Sequence, residues 1–342
     1  MSRPVLLRDV LKPALKRGAL VAAANWPVII VQVVADSLFK ALIAMPLVGG
    51  IFLVAIVVGA EPGMLLSLGW RELTATIIAS LTSRPVVLLA FLASLAIVAV
   101  GGSFFVFLVK GGTVGILVRG EWIAGPIERP PLHVHTVARA SAFSIEAFIE
   151  AARRLFPRYA RLGVMLMAVY LASAAAYLLA VLARRGAADG LAITAVVTGA
   201  FVAWITVVNL VYLLMQLVIA ADDCSVASAA RRVAAFVRRQ FVQVAAVFVV
   251  VLGLVVFATG ASLLATAALG LIAFVPLVGL AVLPLQLIAW VFRGLVFQYI
   301  GLASAGAYLT LYRDAGRANA LGVDAAVRPY DDMQRYSPPG TA

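Results

Sequence analysis

Six long runs of apolar residues divide the chain, and they constrain its fold more than any other feature. The runs lie at about 26–59, 85–118, 160–183, 190–221, 241–268 and 284–312. A helix needs about 20 consecutive apolar residues to cross the hydrocarbon core of a bilayer, and each run is at least that long. The sequence therefore predicts an all-α protein, a polytopic transmembrane helical bundle of about six spans.

The composition agrees with a membrane location and excludes a soluble protein. Of the 342 residues, 64% are hydrophobic and 12% are charged, whereas soluble domains have about 45–50% and about 25%. The single cysteine, Cys224, rules out an intramolecular disulfide.

The positions of the basic residues predict the orientation of the spans. Of the 27 Lys and Arg residues, 21 lie in the N-terminal segment, in 110–162, in 222–240 or after Tyr312, and four lie in the alternate loops. Basic loops stay on the cytoplasmic side. We therefore expect a bacterial inner (cytoplasmic) membrane protein with both termini in the cytoplasm. It has a single integral membrane domain over 1–315 and a cytoplasmic, disordered tail over 316–342. The same bias explains the net charge of +12 without nucleic acid as a partner.

Pairs of basic residues recur at one distance before a span. Each pair ends nine residues before the first, third or fifth span: Lys16 and Arg17, Arg153 and Arg154, Arg231 and Arg232. This spacing favours a repeated unit of one cytoplasmic helix and two spans, which gives three like-oriented pairs of spans. The alternative is chance, because a chain rich in Ala and Arg also forms other pairs, such as Arg238 and Arg239.

The segments that carry these pairs have the spacing of amphipathic helices. In 145–159 apolar residues repeat on one face, and Pro157 predicts a bend into the third span. The later segment has a predicted apolar stripe made of Val226, Ala230, Val233, Val237 and Phe241. A basic face gains on the order of 1 kcal/mol per Lys or Arg near an anionic leaflet. We therefore expect membrane lipids with anionic headgroups to contact Lys16, Arg17, Arg153, Arg154, Arg231, Arg232, Arg238 and Arg239. The alternative is that these helices only set the topology and pack beneath the bundle.

Four short motifs give the chain a family resemblance. They are Asn25-Trp26-Pro27 at the start of the first span, Gly111-Gly112-Thr113-Val114-Gly115 in the second, Asp222-Asp223 leading into 229–239, and Tyr308-Leu309-Thr310-Leu311-Tyr312 in the last. Over roughly residues 10 to 315 the chain resembles bacterial six-helix integral membrane proteins of the YciC type. It is also similar to the membrane domain found before glycerophosphoryl diester phosphodiesterases. The resemblance implies a membrane role linked to the envelope or to lipids. The phosphodiesterase activity is not carried over, because the sequence shows no such catalytic domain.

Three ionisable residues fall within the predicted spans, where a charge costs roughly 2.5–3.5 kcal/mol at mid-bilayer. Asp36 and Lys40 are four residues apart with the acid first, so we expect them to pair on one helix face. Arg293 has no such neighbour. We expect it to bond to carbonyls of the 268–286 segment or to reach outward, and the alternative is an anion or lipid-headgroup contact.

The 268–286 segment does not fit a hydrated outer loop, because it has no charge and contains Pro276 and Pro284. One interpretation is a broken hairpin that dips into the outer leaflet. The other is an additional short span, which would move the C-terminal tail outside.

Small residues four apart predict close helix packing. Gly111 with Gly115 and Gly301 with Ala305 have this spacing.

Catalytic chemistry has little support in the sequence. The acidic residues Asp222 and Asp223 are expected to cap the helix that follows them. His133 and His135 have no local third ligand, so we predict no metal site and no cofactor. We therefore expect a non-enzymatic membrane protein with an envelope- or lipid-related role. The alternative is a transporter or permease for an anionic or amphipathic solute that uses Arg293 and the 268–286 segment. The sequence does not define an oligomeric state.

Overall fold

The computed structural model describes residues 7–58, 82–128, 134–183, 190–273 and 278–320, together with the single positions 69, 72, 75 and 79. The predicted tail from 316 is helical as far as Ala320, and its remainder, 321–342, lies outside the described residues.

The described residues are almost entirely helical. The helices are α1 (Leu7–Ala24), α2 (Trp26–Val58), α3 (Pro85–Ile123), α4 (Val134–Ala138), α5 (Ile145–Leu182), α6 (Gly190–Asp222), α7 (Val226–Arg239), α8 (Phe241–Ala273) and α9 (Val278–Ala320). Six of them, α2, α3, α5, α6, α8 and α9, are long and apolar enough to cross a membrane. The predicted helical bundle of six spans is confirmed.

Two of the long helices begin earlier than predicted. The third span is the second half of α5, which starts at Ile145 and runs through Pro157 without a break. The predicted amphipathic helix and the span that follows it are therefore one helix. Its start is capped by Ser144, whose hydroxyl accepts a hydrogen bond from the Ala147 amide at 3.1 Å.

The 268–286 segment is the junction of two helices. Residues 268–273 end α8 and residues 278–286 begin α9, so only 274–277 lie outside the described residues. Among the described residues the structure shows two helix ends here and no additional span, and the interpretation as a broken hairpin stays a prediction. In an apolar environment without water, the backbone N–H and C=O groups can bond to each other within a helix.

The described residues group into two compact units. One contains the residues up to Val31 and those from Lys110 onward, and the other is Gln32–Val109. In the second unit, Phe39 lies where a side chain at Gly102 would project. The division leaves the prediction of one integral membrane domain open.

In the first unit, α1 and α9 cross in backbone contact. A Cβ added at Gly306 would lie 2.8 Å from the Cα of Gly18, and one added at Gly18 would fall on the backbone of Ala303 and Ala307. The close packing predicted at Gly301 was wrong, because nothing lies within 4 Å of a Cβ built there. Helix α9 crosses α1 about one turn further along, at Ala303 to Ala307.

The close packing predicted for Gly111 and Gly115 is confirmed. A Cβ at Gly111 would lie 3.3 Å from the carbonyl oxygen of Ala152, and Gly115 faces Ala151. These glycines bring the end of α3 against the first half of α5. The apolar core forms here and contains Ala22, Val28, Ile29, Ile116, Ala147 and Leu302.

Equivalent positions of the predicted repeat are buried alike. Two positions before the first basic residue of each pair lies a buried alanine: Ala14, Ala151 and Ala229. The residues four positions after these alanines are also buried: Gly18, Leu155 and Val233. A helical segment also precedes each pair of spans: α1, the start of α5, and α7. Both observations favour a true repeat over chance.

Candidate functional site

Arg17 lies at the centre of a buried group of charges. Its Nε is 2.7 Å from Oε1 of Glu121, and its Nη1 is 2.9 Å from Oε2 of Glu128. The same Nη1 donates to the carbonyl oxygen of Gly125 at 2.5 Å. Helix α1 is thereby tied to the end of α3 and to the turn that follows it.

A second cation reaches the same carboxylate from α9. Nη1 of Arg313 is 3.1 Å from Oε1 of Glu121 and 2.9 Å from its backbone oxygen. The Arg313 guanidinium also lies 4.2 Å from the centre of the Trp122 ring. Lys16 donates to the backbone oxygen of Glu128 at 2.6 Å. We call these five charged residues, Lys16, Arg17, Glu121, Glu128 and Arg313, the charge cluster.

The charge cluster is a structural connection and not a lipid-binding surface. Burial by itself lowers the pKa of Arg17, but the carboxylate of Glu121, and then that of Glu128, outweigh it and raise the pKa above its ordinary value. Only 7% of Arg17 is exposed. The prediction that Arg17 contacts lipid therefore does not fit its position, because its charge is already neutralised inside the protein. Lys16 is half-buried and holds a protein carbonyl.

Sequence reasoning missed Glu121 and Glu128 as partners of Arg17. The available signal was the presence of two acids in a segment that is otherwise basic, next to the end of a span.

Asp222 and Asp223 bind arginines instead of capping a helix. Asp222 ends α6 and pairs with Arg232, and Asp223 pairs with Arg158. The cap of α7 is Ser225, whose hydroxyl accepts from the Ser228 amide at 3.4 Å. The predicted capping role was therefore wrong.

The acidic turn, Asp222 and Asp223, connects α6 to α7 and bonds to α5 and α9 as well. Asp223 has a φ of 47°, which turns the chain between α6 and α7. The hydrogen bond from Arg158, with the nearby charges of Arg158 and Arg154, lowers the pKa of Asp223. The hydroxyl of Tyr312 donates to Oδ2 of Asp222 at 2.5 Å, which links α9 to the same turn.

The apolar stripe of α7 is displaced from the predicted one. Its buried residues are Ala229, Val233 and Phe236, while Ala230 and Phe241 are exposed. Phe236 packs edge-on against the ring of Tyr312, with 5.4 Å between the ring centres. The partner on α9 thus decides which face of the amphipathic helix is covered.

Besides Arg232, five of the predicted lipid-contact residues have exposed side chains: Arg153, Arg154, Arg231, Arg238 and Arg239. We call them the basic surface. Arg232 is also exposed, but it pairs with Asp222, and that hydrogen bond raises its pKa. The basic surface lies on α5 and α7, beside the positions where uncharged spans begin.

The polar residues of the spans behave differently from one another. Nζ of Lys40 is 2.6 Å from Oδ2 of Asp36, so the predicted pairing is confirmed. Arg293 is exposed, and its guanidinium lies 5.6 Å from the centre of the Phe297 ring. Contact of Arg293 with an anion or a lipid stays a prediction.

Metal binding finds no geometric support in the part of the chain that the structure describes. Within that part, no three His, Cys, Asp or Glu side chains form a group suited to a metal ion. His135 lies in α4, and His133 falls outside the described residues.

The rest of the protein covers little of the apolar surface of four of the long helices. In the most apolar window of α5 no residue is buried by the protein, and in those of α3, α8 and α9 only 6–11% are. Surfaces this apolar and this extensive require lipid around them. The chain is a multi-pass integral membrane protein. Comparisons with protein-family models, with curated proteins and with solved structures found no match.

Proposed function

We propose that this protein is a non-enzymatic component of the bacterial inner membrane that binds anionic lipid through its basic surface. Both termini lie in the cytoplasm, and the protein acts in envelope organisation or lipid handling. The observation that carries the proposal is the exposure of five arginines on α5 and α7, next to uncharged spans.

Exposed arginines next to an apolar span gain electrostatic free energy from anionic lipid. Guanidinium groups next to an apolar span lie at the level of the lipid phosphates. Arg153, Arg231 and Arg238 are exposed and have no ion pair with the described residues. Each is worth about 1 kcal/mol near an anionic leaflet.

The orientation follows from the same charges. The basic surface, the charge cluster and the acidic turn all occur in segments that the distribution of Lys and Arg assigns to one side. Translocation of so many basic residues across the membrane is costly, so they stay in the cytoplasm.

The non-enzymatic part of the proposal is supported by the way the ionisable groups are used. Arg17 and Arg313 both bond to the buried carboxylate of Glu121. Ionisable groups that neutralise one another inside the protein in this way are typical of a structural connection. The resemblance to YciC-type proteins, on the motifs given above, agrees with an envelope or lipid role.

The transporter alternative uses Arg293 and the 268–286 segment. Arg293 is exposed beside Phe297, and no contact of the described residues specifically favours a solute site there, so the alternative stays a prediction of the sequence.

Spin-labelled lipids test the proposal in a reconstituted bilayer. Wild-type protein is placed in mixed phosphatidylglycerol and phosphatidylcholine membranes, and electron spin resonance measures which labelled lipid associates with it. We expect a preference for phosphatidylglycerol that weakens with salt. Substitution of Arg231, Arg238 and Arg239 by Gln should lower this preference by about fivefold or more, since one arginine contributes about 1 kcal/mol.

The matched control removes three positive charges from the predicted outer loops, by changing Arg84, Arg184 and Arg185 to Gln. The net charge changes equally in both variants, so only the position of the removed charges differs. No preference in the wild type, or an equal loss in the control, would refute the proposal.

A further inference from the structure

A groove between α5 and α7 has the chemistry of a binding site for one lipid molecule. Its volume is about 450 Å³, within the range of about 300–1,000 Å³ that small-molecule sites occupy. The residues that line it are Arg158, Arg161, Met165, Met215, Ser225, Val226, Ala227 and Ala230.

The wall of the groove is almost entirely apolar, and two arginines contribute to it. Met165, Met215 and Val226 line the groove together with Arg158 and Arg161, each of which carries a guanidinium group at the end of an apolar stem. An inorganic anion would use only the guanidinium groups, and an uncharged apolar molecule only the wall. A lipid with a phosphate headgroup uses both.

The position of the groove along α5 matches the boundary of the membrane. From Gly163 to Leu182 the helix carries no charge, and these 20 residues would span about 30 Å, the thickness of the hydrocarbon core. Arg161 precedes this stretch by one half-turn, and Met165 lies one turn after Arg161, inside the apolar stretch. The guanidinium of Arg161 is thus placed at the height of a lipid phosphate, and Met165 at the height of the first acyl carbons.

The two arginines of the groove are not equivalent. Arg158 pairs with Asp223, which neutralises its charge but leaves its remaining N–H groups available. Arg161 is exposed and forms no ion pair with the described residues. The groove therefore retains a net positive charge, which an anionic headgroup complements.

We propose that this groove binds a single anionic phospholipid, with its phosphate on Arg161 and Arg158 and an acyl chain along Met165 and Met215. The inference deepens the proposed function and rests on it, since it names one site where the protein and anionic lipid meet. The binding at this site is specific and saturable, unlike the diffuse attraction of the basic surface.

Native mass spectrometry of the full chain in detergent tests the site by counting bound lipids. We expect the wild type to retain one phosphatidylglycerol at concentrations where it retains no phosphatidylcholine. Arg161→Ala should reduce the retained fraction at least tenfold. Ala230→Trp, which fills the groove and leaves the charge unchanged, should do the same.

Arg119→Ala is the matched control, because Arg119 is an exposed arginine on α3 that belongs neither to the groove nor to the basic surface. It should retain the lipid. Size-exclusion profiles and melting temperatures establish that each variant is folded, and a variant that fails this check is replaced by Arg161→Gln or Ala227→Trp.

The remaining outcomes would overturn the site. Retention of the lipid in Ala230→Trp would place it outside the groove. An equal loss in Arg119→Ala would mean a diffuse attraction of the lipid to basic residues and not a site in the groove, which leaves the proposed function intact. Stabilisation by inorganic phosphate alone, as large as that by phosphatidylglycerol, would identify a site for a free anion. Retention of phosphatidylcholine equal to that of phosphatidylglycerol would show that the arginines do not select the headgroup.

Discussion

Nε of Arg17 lies 2.7 Å from Oε1 of Glu121, although the two residues are 104 positions apart in the chain. Both side chains are buried, and Arg313 approaches the same carboxylate oxygen from α9. The pair therefore joins the first helix to the end of the second span and to the last helix.

Loss of Arg17 should destabilise the protein more than loss of any exposed arginine. Arg17→Met removes one ion-pair partner of Glu128 and one of Glu121, and both carboxylates are buried. Breaking a buried pair in this way costs about 3–5 kcal/mol, measured as the free energy of unfolding in detergent. Arg153→Met is the control and should change it by less than about 0.5 kcal/mol. Equal effects of the two substitutions would contradict the role given to Arg17.

Gly18 should tolerate no larger side chain. In Gly18→Ala the new Cβ meets the backbone of Ala303 and Ala307, which yields less readily than a side chain. We expect a loss of about 1–3 kcal/mol and a lower melting temperature. Gly301→Ala introduces the same methyl group where nothing lies within 4 Å, so it should be neutral or slightly stabilising. A destabilised Gly301→Ala with an unaffected Gly18→Ala would show that the helices cross elsewhere.

Asn25 should hold the segment before α5 in place. Its Oδ1 accepts from the Ala142 amide at 2.8 Å, and its Nδ2 donates to the Ala140 carbonyl at 2.8 Å. Asn25→Ala leaves these buried groups unpaired, at a cost of about 1–3 kcal/mol. Hydrogen exchange of a peptide covering 139–144 should then become faster. The same exchange rate in the variant and the wild type would rule out this contact, and Asn209→Ala serves as a control of the same residue type.

The Arg158–Asp223 pair should contribute stability that disappears in acid. Arg158 lowers the pKa of Asp223 below its ordinary value of 3.8. A carboxyl group with a lowered pKa stabilises the folded state above the ordinary pKa, and this contribution is lost as the pH falls through the folded-state value. The melting-temperature difference between the wild type and Asp223→Asn should therefore be constant near neutral pH and vanish in acid. Asn suits the comparison because it tolerates the positive φ of this position. A difference that grows as the pH falls would have the wrong sign.

Cys224 reports the orientation of the protein without any added residue. It is the single cysteine of the sequence, and it is partly exposed in the turn between α6 and α7. A membrane-impermeant maleimide should label it only after spheroplasts are permeabilised. Burial raises the pKa of this thiol, so labelling is slow and is carried to completion. The control combines Cys224→Ser with Ala183→Cys, at the other end of α5, and should label in intact spheroplasts. Labelling of Cys224 without permeabilisation would overturn the proposed topology.

Several features of the fold could be predicted from local sequence. The starts of α2, α3, α6 and α8 agree with the predicted starts of four spans. The pairing of Asp36 with Lys40 also needed only their spacing on a helix. Each of these depends on residues that are close together in the chain.

Other features could not be predicted, because they depend on partners that are remote in sequence. Arg17 and Arg154 occupy equivalent places in the predicted repeat, yet Arg17 is buried and Arg154 is exposed. The difference is the presence of Glu121 and Glu128 beside Arg17. The buried face of α7 was similarly predicted with the wrong residues, since Tyr312 on α9 decides it.

The sequence by itself determined that this protein lies in a membrane and where its long helices run. That information is local: a run of uncharged residues either matches the thickness of the hydrocarbon core or does not, and its backbone must bond within the helix. Only the tertiary structure decided which charges are neutralised inside the protein and which remain at the surface. Neutralisation requires two groups of opposite charge a few ångströms apart. Only the packing of α1, α3 and α9 brings Arg17 and Arg313 within that distance of Glu121.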